Sequence, residues 1–531
     1  MCNHHHKRRG TSLKNKSAHQ KDHHNWSRRN FLSTIGALGS GSLLLNNLAV
    51  NTMFGSPLVP LMNSAASDKI LLIIRLQGGN DSLNTVIPAA QHSIYATERP
   101  TLGLPLNNLH DLGSGWALPK YMINPTNSQT NLSNLNNMWS SGQMAILHSV
   151  GYPNSSQSHF DGQRNWSSAN GGNVDLNTDW MGRHLEQLFP DYLNNVPNIP
   201  PAIHIGTNND LMFKTGSSNI AYLIQSIEKL NQIISSGELY DTTNLSNCLY
   251  GNELSFVRSI ANSTQAFTST IKNAYESSQN NVSYPNTVNW EERYMGEKLS
   301  IIARLIKGNL GTKIFMVDMN GFDTHYQQAV AHQHLMEDLA EAISSFYSDL
   351  EASGLADQVL TMTISEFGRN IRENGSGGTD HGNAGAMMMF GQGLQQGGFL
   401  GTPLDLSAVT LNEDAAIPYQ LDYRDIYYTV LKNWLCVDAN LLSAVMGGSY
   451  NEIPNLIQPC GTVNSCPPNK ALGNQTLNGT QTHQSAQLTS SNGTVTNGAD
   501  VKLKSEGRVR LNSGFKVEQG GKLKVNIENC D

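Results

Sequence analysis

The sequence predicts an α/β domain on a mostly parallel central sheet, followed by a small all-β module. Three observations predict it. Short apolar runs recur from Asp68 to about Gly448, several of them apolar almost throughout, as strands buried on both faces are. A segment with helical spacing separates two of these runs. Beyond a polar stretch near the end, apolar residues alternate with polar ones between glycines.

The runs span 70–76, 144–150, 202–206, 313–319, 359–364 and 387–391. Between the fourth and fifth, Leu335, Leu339, Ile343, Phe346 and Leu350 keep one helical face, and Gly354 ends it. Strand, helix, strand in that order implies a right-handed crossover between parallel strands. Such sheets bind ligands beyond the carboxyl ends of their strands, so chemistry is expected just after each run.

Four polar clusters adjoin the runs: Gly78-Gly79-Asn80-Asp81 after the first, Gly321-Phe322-Asp323-Thr324-His325 after the fourth, Ser365-Glu366-Phe367-Gly368-Arg369 after the fifth, and Gly378-Thr379-Asp380-His381-Gly382 before the sixth. No single loop surrounds an ion, so a metal site needs carboxylates and imidazoles from several strand ends. Asp323, His325, Glu366, Asp380 and His381 supply that mixture. Each pair alone reads as a surface loop; four together point to a site. The paired glycines lack the Gly-Lys-Ser/Thr ending of a nucleotide loop and are read as a tight turn presenting Asn80 and Asp81.

The chain divides into a leader over 1–66, a main domain over 67–450, a linker over 451–491 and a β module over 492–531. Within the leader, Ser27-Arg28-Arg29-Asn30-Phe31-Leu32 precedes a mildly apolar run without acidic residues, a twin-arginine export signal. Glycines and asparagines interrupt that run, which favours cleavage near Ser67 over a stable membrane span. The expected destination is the periplasm, cell surface or exterior, with the twin-arginine translocase as a partner. Six cysteines include no C-x-x-C pair; Cys460 and Cys466 either close a short loop in an oxidising compartment or stay free. Residues 67–531 carry 27 basic against 41 acidic side chains, a balance of −14 that repels phosphate backbones and excludes nucleic acid as the main partner. The module from 492 is itself rich in Lys and Arg, open to either a passive appendage or a contact with cell-envelope glycan.

Taken together, LQGGNDSLNTVIP, SHFDGQ (158–163), GFDTH, SEFGRN, GTDHG and DYRDIY (422–427) resemble the family of the domain of unknown function 1501, over about residues 70–447. That family is similar in outline to the alkaline phosphatase and sulfatase superfamily. The resemblance implies an alkaline-phosphatase-like sandwich, with Asp81, Asp323, His325, Glu366, Asp380 and His381 as metal ligands. The ions would be divalent, of the zinc, calcium or magnesium kind. Two features depart from the superfamily: no Cys or Ser precedes x-Pro-x-Arg, and Glu366-Phe367 stands where Asp-His is usual.

Ser158 is the candidate nucleophile, with helix capping as its structural alternative and a metal-bound water as a rival. His159 is a ligand, a transition-state donor or a packed histidine. Arg369 would hold oxygens of a phosphoryl or sulfuryl group, or pair with Glu373. Arg424 and Asp425 read as a structural salt bridge. The expectation is an exported metal-dependent hydrolase of a phosphate or sulfate ester; the alternative is a non-catalytic exported protein binding a glycan or partner on the same fold.

Overall fold

The computed structural model describes residues 68–123, 135–170, 178–190, 192, 197–206, 211–216, 219–224, 267–285, 294–410, 416–460, 470–471, 476–490, 493–511 and 514–527. The leader with its twin-arginine segment, and Cys466, lie outside them. The chain forms two compact units that meet in sequence between Gln458 and Pro459.

The first unit holds β1 (Ile70–Leu76), the hairpin β2 (Leu109–Gly113) and β3 (Trp116–Pro119), β4 (Met144–Gly151), β5 (Ala202–Ile205), β6 (Ala221–Ile224), β7 (Ile314–Met319), β8 (Val359–Ser365), β9 (Arg369–Glu373), β10 (Thr379–His381), β11 (Gly385–Phe390), β12 (Gly398–Leu400) and β13 (Leu421–Asp422). Nine of these build one sheet in the order β12-β4-β11-β8-β1-β7-β5-β6, with β13 added on β4. Every pairing is parallel except those of β11, which runs antiparallel to both β4 and β8. This is the mixed α/β fold with a large, mostly parallel sheet that the apolar runs predict.

Side-chain alternation on β1 sorts the core into two layers. Ile70, Leu72, Ile74 and Leu76 point into one and Leu71 and Ile73 into the other, all at most 5% exposed. The helices used below are α1 (Ser82–Thr85), α2 (His159–Ser168), α3 (Trp180–Leu188), α4 (Tyr294–Lys307), α5 (Gln328–Ala352), α6 (Tyr423–Thr429) and α7 (Ala439–Met446). Helix α5 places Met336, Leu339, Ile343, Phe346 and Leu350 in the first layer, beside Leu299 and Ile302 of α4. It stops where Gly354 takes φ +66° and the Leu355 amide caps the Leu350 carbonyl at 2.9 Å. The opposite layer contains Trp180 of α3, Tyr423 and Tyr427 of α6, and Leu442 and Val445 of α7.

A polar row crosses this sheet. Arg75 of β1 sits in register with Asp318 of β7 and donates to its Oδ1 at 2.9 Å, while His204 of β5 meets Oδ2 at 2.9 Å. Lys298 of α4 donates to the Asp318 carbonyl. Burial pushes the Asp318 carboxyl up, and His204, Arg75 and Lys298 more than offset it, lowering its pKa to about 2.

The second unit is a stack of parallel strands. β14 (Lys470–Ala471), β16 (Thr480–Ser490), β18 (Asp500–Leu511) and β20 (Lys522–Ile527) form one sheet; β15 (Thr476–Leu477), β17 (Thr494–Val495) and β19 (Lys516–Val517) form another. Each turn of chain adds a short strand to one sheet and a longer strand to the other, and Leu477, Val495, Ala499, Val501 and Leu503 fill the space inside. The stretch read as a linker therefore differs from expectation over 476–490, which folds as β15 and β16. Thr476, Thr480 and Thr482 are exposed, and the backbone bonds come from the coil stacked on these strands. The apolar chain of the first unit also runs past Gly448, because Ile453, Leu456 and Ile457 join its core.

A carboxyl whose pKa is depressed by folding stabilises the native state above its unfolded value and loses that contribution as pH falls through the folded one. Asp318 should therefore withdraw stability between about pH 4 and pH 2. Asp318→Asn should flatten that acid limb and lower stability at pH 7 by about 3–5 kcal/mol, since Arg75 and His204 lose a buried partner; urea titrations across pH read both effects.

Candidate metal centre

The site lies at the carboxyl edge of β4, β8, β1 and β7, joined by the amino end of β11. Because β11 runs against its neighbours, the loop that precedes it reaches the same edge as the loops that follow the others. This explains why Asp380 and His381 come before a strand yet join residues that come after strands.

Two glycines allow the loops to close on each other. A Cβ on Gly78, which takes φ +119°, would lie 2.3 Å from the Asp323 amide nitrogen, and a Cβ on Gly378 would lie 2.2 Å from the His325 carbonyl carbon. Arg369 then ties them. Its side chain is fully buried, and it donates Nε to the Gly79 carbonyl at 2.8 Å, Nη1 to Thr379 at 2.8 Å, and Nη2 to the carbonyls of Gly78 and Phe322 and to Asp323 Oδ1 at 2.7 Å. The guanidinium expected to grip an anion is instead engaged by backbone carbonyls. Glu373, its other expected partner, accepts from the Thr101 and Leu102 amides.

Three imidazoles converge on Asp323. Its Oδ1 lies 3.5 Å from His159 Nε2, 3.1 Å from His325 Nε2 and 3.4 Å from His381 Nε2, and the last two nitrogens are 2.9 Å apart. The donor atoms of His159, Asp323 and His381 all fall within 4.8 Å of one another. Donors around a tetrahedral ion bound at ~2.0–2.1 Å stand about 3.3–3.4 Å apart, so these separations bracket the spacing an ion requires.

The far nitrogens decide the protonation. His159 Nδ1 faces Glu366 Oε2 at 2.5 Å, His381 Nδ1 faces the Gln157 carbonyl at 2.7 Å, and His325 Nδ1 faces Asp380 Oδ1 at 3.3 Å. All three partners can accept from Nδ1, and a ring protonated there alone turns an Nε2 lone pair inward. Bare lone pairs and a carboxylate oxygen repel at these distances; a proton or a cation has to lie among them. The residues present therefore fit a metal ion. An imidazole with its other N–H held by a carboxylate or carbonyl is the usual arrangement of a metal ligand.

Partial burial raises the Asp323 carboxyl, and Arg369 with His159 and His325 brings it below its ordinary value. Burial lowers His381, with Arg369 adding to the effect against the Gln157 carbonyl, so the ring stays neutral. Asn374, and then His325, hold Asp380 low against a slight burial effect.

The expected ligands thus take different parts. Asp323, His325 and His381 meet, joined by His159. Glu366 is 2% exposed and accepts from His159, from Gln163 Nε2 at 2.6 Å and from the Gly78 amide at 3.3 Å, which makes it a support. Asp380 orients His325. Asp81 stands apart: its carboxylate receives both forks of Arg99, at 2.5 and 3.0 Å, as well as Gln328 Nε2 and the Leu83 amide, whose helix α1 it caps. Burial raises this carboxyl and Arg99 more than offsets it. Ser158 occupies the N-cap position of α2 without a side-chain capping bond, and Asp161 accepts from Ser156 instead. Arg424 pairs with Asp422 rather than Asp425. Phe367 packs its ring 4.4 Å from His381 and 5.0 Å from His159, a wall of the pocket. Arg99 and Gln328 had no motif to reveal them; Gln163 lay in the SHFDGQ segment.

Asp81→Asn should lower stability by about 3–5 kcal/mol, leaving Arg99 buried without its counter-charge, while any metal uptake is unchanged; denaturation and metal analysis of the same sample separate the two. Because bound imidazoles must be neutral, any metal affinity should fall as the solution is made acidic, measured by equilibrium dialysis.

Solved structures similar to the chain include alkaline phosphatase from the Antarctic bacterium TAB5 (9% identity, TM-score 0.27, covering 63% of this chain and 94% of that one), Ps i-CgsB in complex with k-i-k-neocarrahexaose (11%, 0.30, 72% and 73%) and the lipoteichoic acid synthase LtaP from Listeria monocytogenes (8%, 0.24, 67% and 75%). No curated protein matches the sequence. Among the described residues no helix is long and apolar enough to cross a membrane. The sequence profile of the family described as Protein of unknown function (DUF1501) matches residues 223–446, a shorter span than the motifs suggested and one that takes in Asp323, His325, Glu366, Asp380 and His381 but not His159. Over that region the chain is similar to this family.

Proposed function

We propose that this chain is an exported, metal-dependent hydrolase of a phosphate or sulfate ester. The observation that carries the reading is the convergence of three imidazole Nε2 atoms on one carboxylate oxygen, with every outward nitrogen facing an acceptor. Nitrogen-rich donors suit a borderline ion of the zinc kind over calcium or magnesium. His159, Asp323 and His381 would hold it. When bound, the ion would polarise the ester oxygen and lower the pKa of the attacking hydroxyl or water.

The chain's own residues supply the rest. Glu366 keeps the proton on His159 Nδ1, and the Gln157 carbonyl does so on His381. His325, oriented by Asp380, is placed to hold a proton at Nε2 and deliver it to the leaving oxygen. Ser158, whose hydroxyl does not cap its helix, stands next to His159 as the candidate nucleophile. Export rests on the Arg28-Arg29 signal, and Cys436 and Cys460 are both disulfide-bonded, which suits an oxidising compartment. The twin-arginine translocase would deliver the folded protein to the periplasm, cell surface or exterior.

The test is metal analysis with steady-state hydrolysis of aryl phosphate and aryl sulfate by the purified mature protein. His381→Ala should lose the ion and the activity. His325→Ala should keep the ion while kcat falls about 10²-fold or more. Ser158→Ala separates a serine nucleophile from a water, since only the former loses turnover. A protein that takes up no ion and cleaves neither ester would sink the proposal, whereas ion binding without turnover would assign the site to binding alone.

A further inference from the structure

Three exposed apolar side chains lie close in sequence to the histidines of the centre. Among the described residues the most exposed large hydrophobic groups are Phe160 at 86%, Tyr326 at 67% and Val330 at 63%. Phe160 directly follows His159, Tyr326 directly follows His325, and Val330 lies five residues beyond His325. Isolated apolar residues on a surface are ordinary, but the three most exposed all fall within five residues of one centre. Adjacent Cα atoms are about 3.8 Å apart, so each ring springs from backbone next to a side chain of the site.

Their backbones are held. His159 on Glu366 anchors the first turn of α2, and Phe160 is its second residue. After Tyr326 the chain takes a left-handed turn at Gln327, φ +46°, and the amides of Gln327 and Gln328 bond to the carbonyls of Ser376 and Gly377 at 3.4 and 2.9 Å. The tyrosine is thus held outward by fixed loop geometry. Rings presented on fixed backbone lose little entropy when a partner stacks on them.

Resting on the hydrolase reading, we infer that Phe160 and Tyr326, with Val330 beside them, form a rim that determines specificity, and that the ester bound there carries a ring with an apolar face. An oxyanion alone offers these side chains nothing, and a short alkyl group offers no face to stack. Sugar and aryl rings share the required chemistry.

Calorimetric titration of the zinc-loaded protein with phenylphosphonate, a hexose 6-phosphonate and methylphosphonate tests this without turnover. Ring-bearing ligands should bind about 3- to 10-fold more tightly than methylphosphonate, and the better of the two identifies the ring. Phe160→Ala and Tyr326→Ala should erase the preference, with zinc content and methylphosphonate affinity unchanged. Equal affinity for all three, a preference that survives the double variant, or no binding of any of them overturns the inference. Ring-selective binding without cleavage of any ester would support the rim while defeating the hydrolase reading.

Discussion

Arg369 is the constraint on which the site depends. A fully buried guanidinium is costly to desolvate and is stable only when its donors find acceptors, and here the acceptors come from loops that follow β1 and β7 and precede β11. Satisfying one side chain therefore fixes the relative positions of three loops. The same charge holds Asp323 ionised and opposes protonation of His381.

Around that tie, the side chains divide between converging on the centre and keeping others aimed. Glu366, Asp380 and the Gln157 carbonyl each hold the outer nitrogen of one imidazole. They turn three flexible rings into a preorganised set, so less ordering would be needed to bind an ion. Phe367 closes one wall with an apolar ring, limiting how many polar groups the pocket can offer.

Much of this was legible in the residues. The continuous aliphatic runs announced strands buried on both faces, and the helical face ending at Gly354 announced the crossover. The polar clusters bordering those runs announced where the site would be. Composition could not separate converging residues from supporting ones. Glu366 and Asp380 have the same chemistry as Asp323, yet the geometry aims them at the outer nitrogens. Asp81 looked like a ligand because it followed a strand, and an arginine eighteen residues on, without a motif, claimed its carboxylate.

The sequence by itself determined the α/β class, the edge of the sheet where the candidate site lies, and the histidines and acids available there, because periodicity and strand ends are local properties of the chain. Tertiary structure alone decided that β11 runs backwards and brings His381 to that edge, that Arg369 binds carbonyls instead of an anion, and that the polar stretch over 476–490 stacks as strands. Each of these outcomes depends on which distant backbone groups come within hydrogen-bonding reach, and separation along the chain carries no record of that.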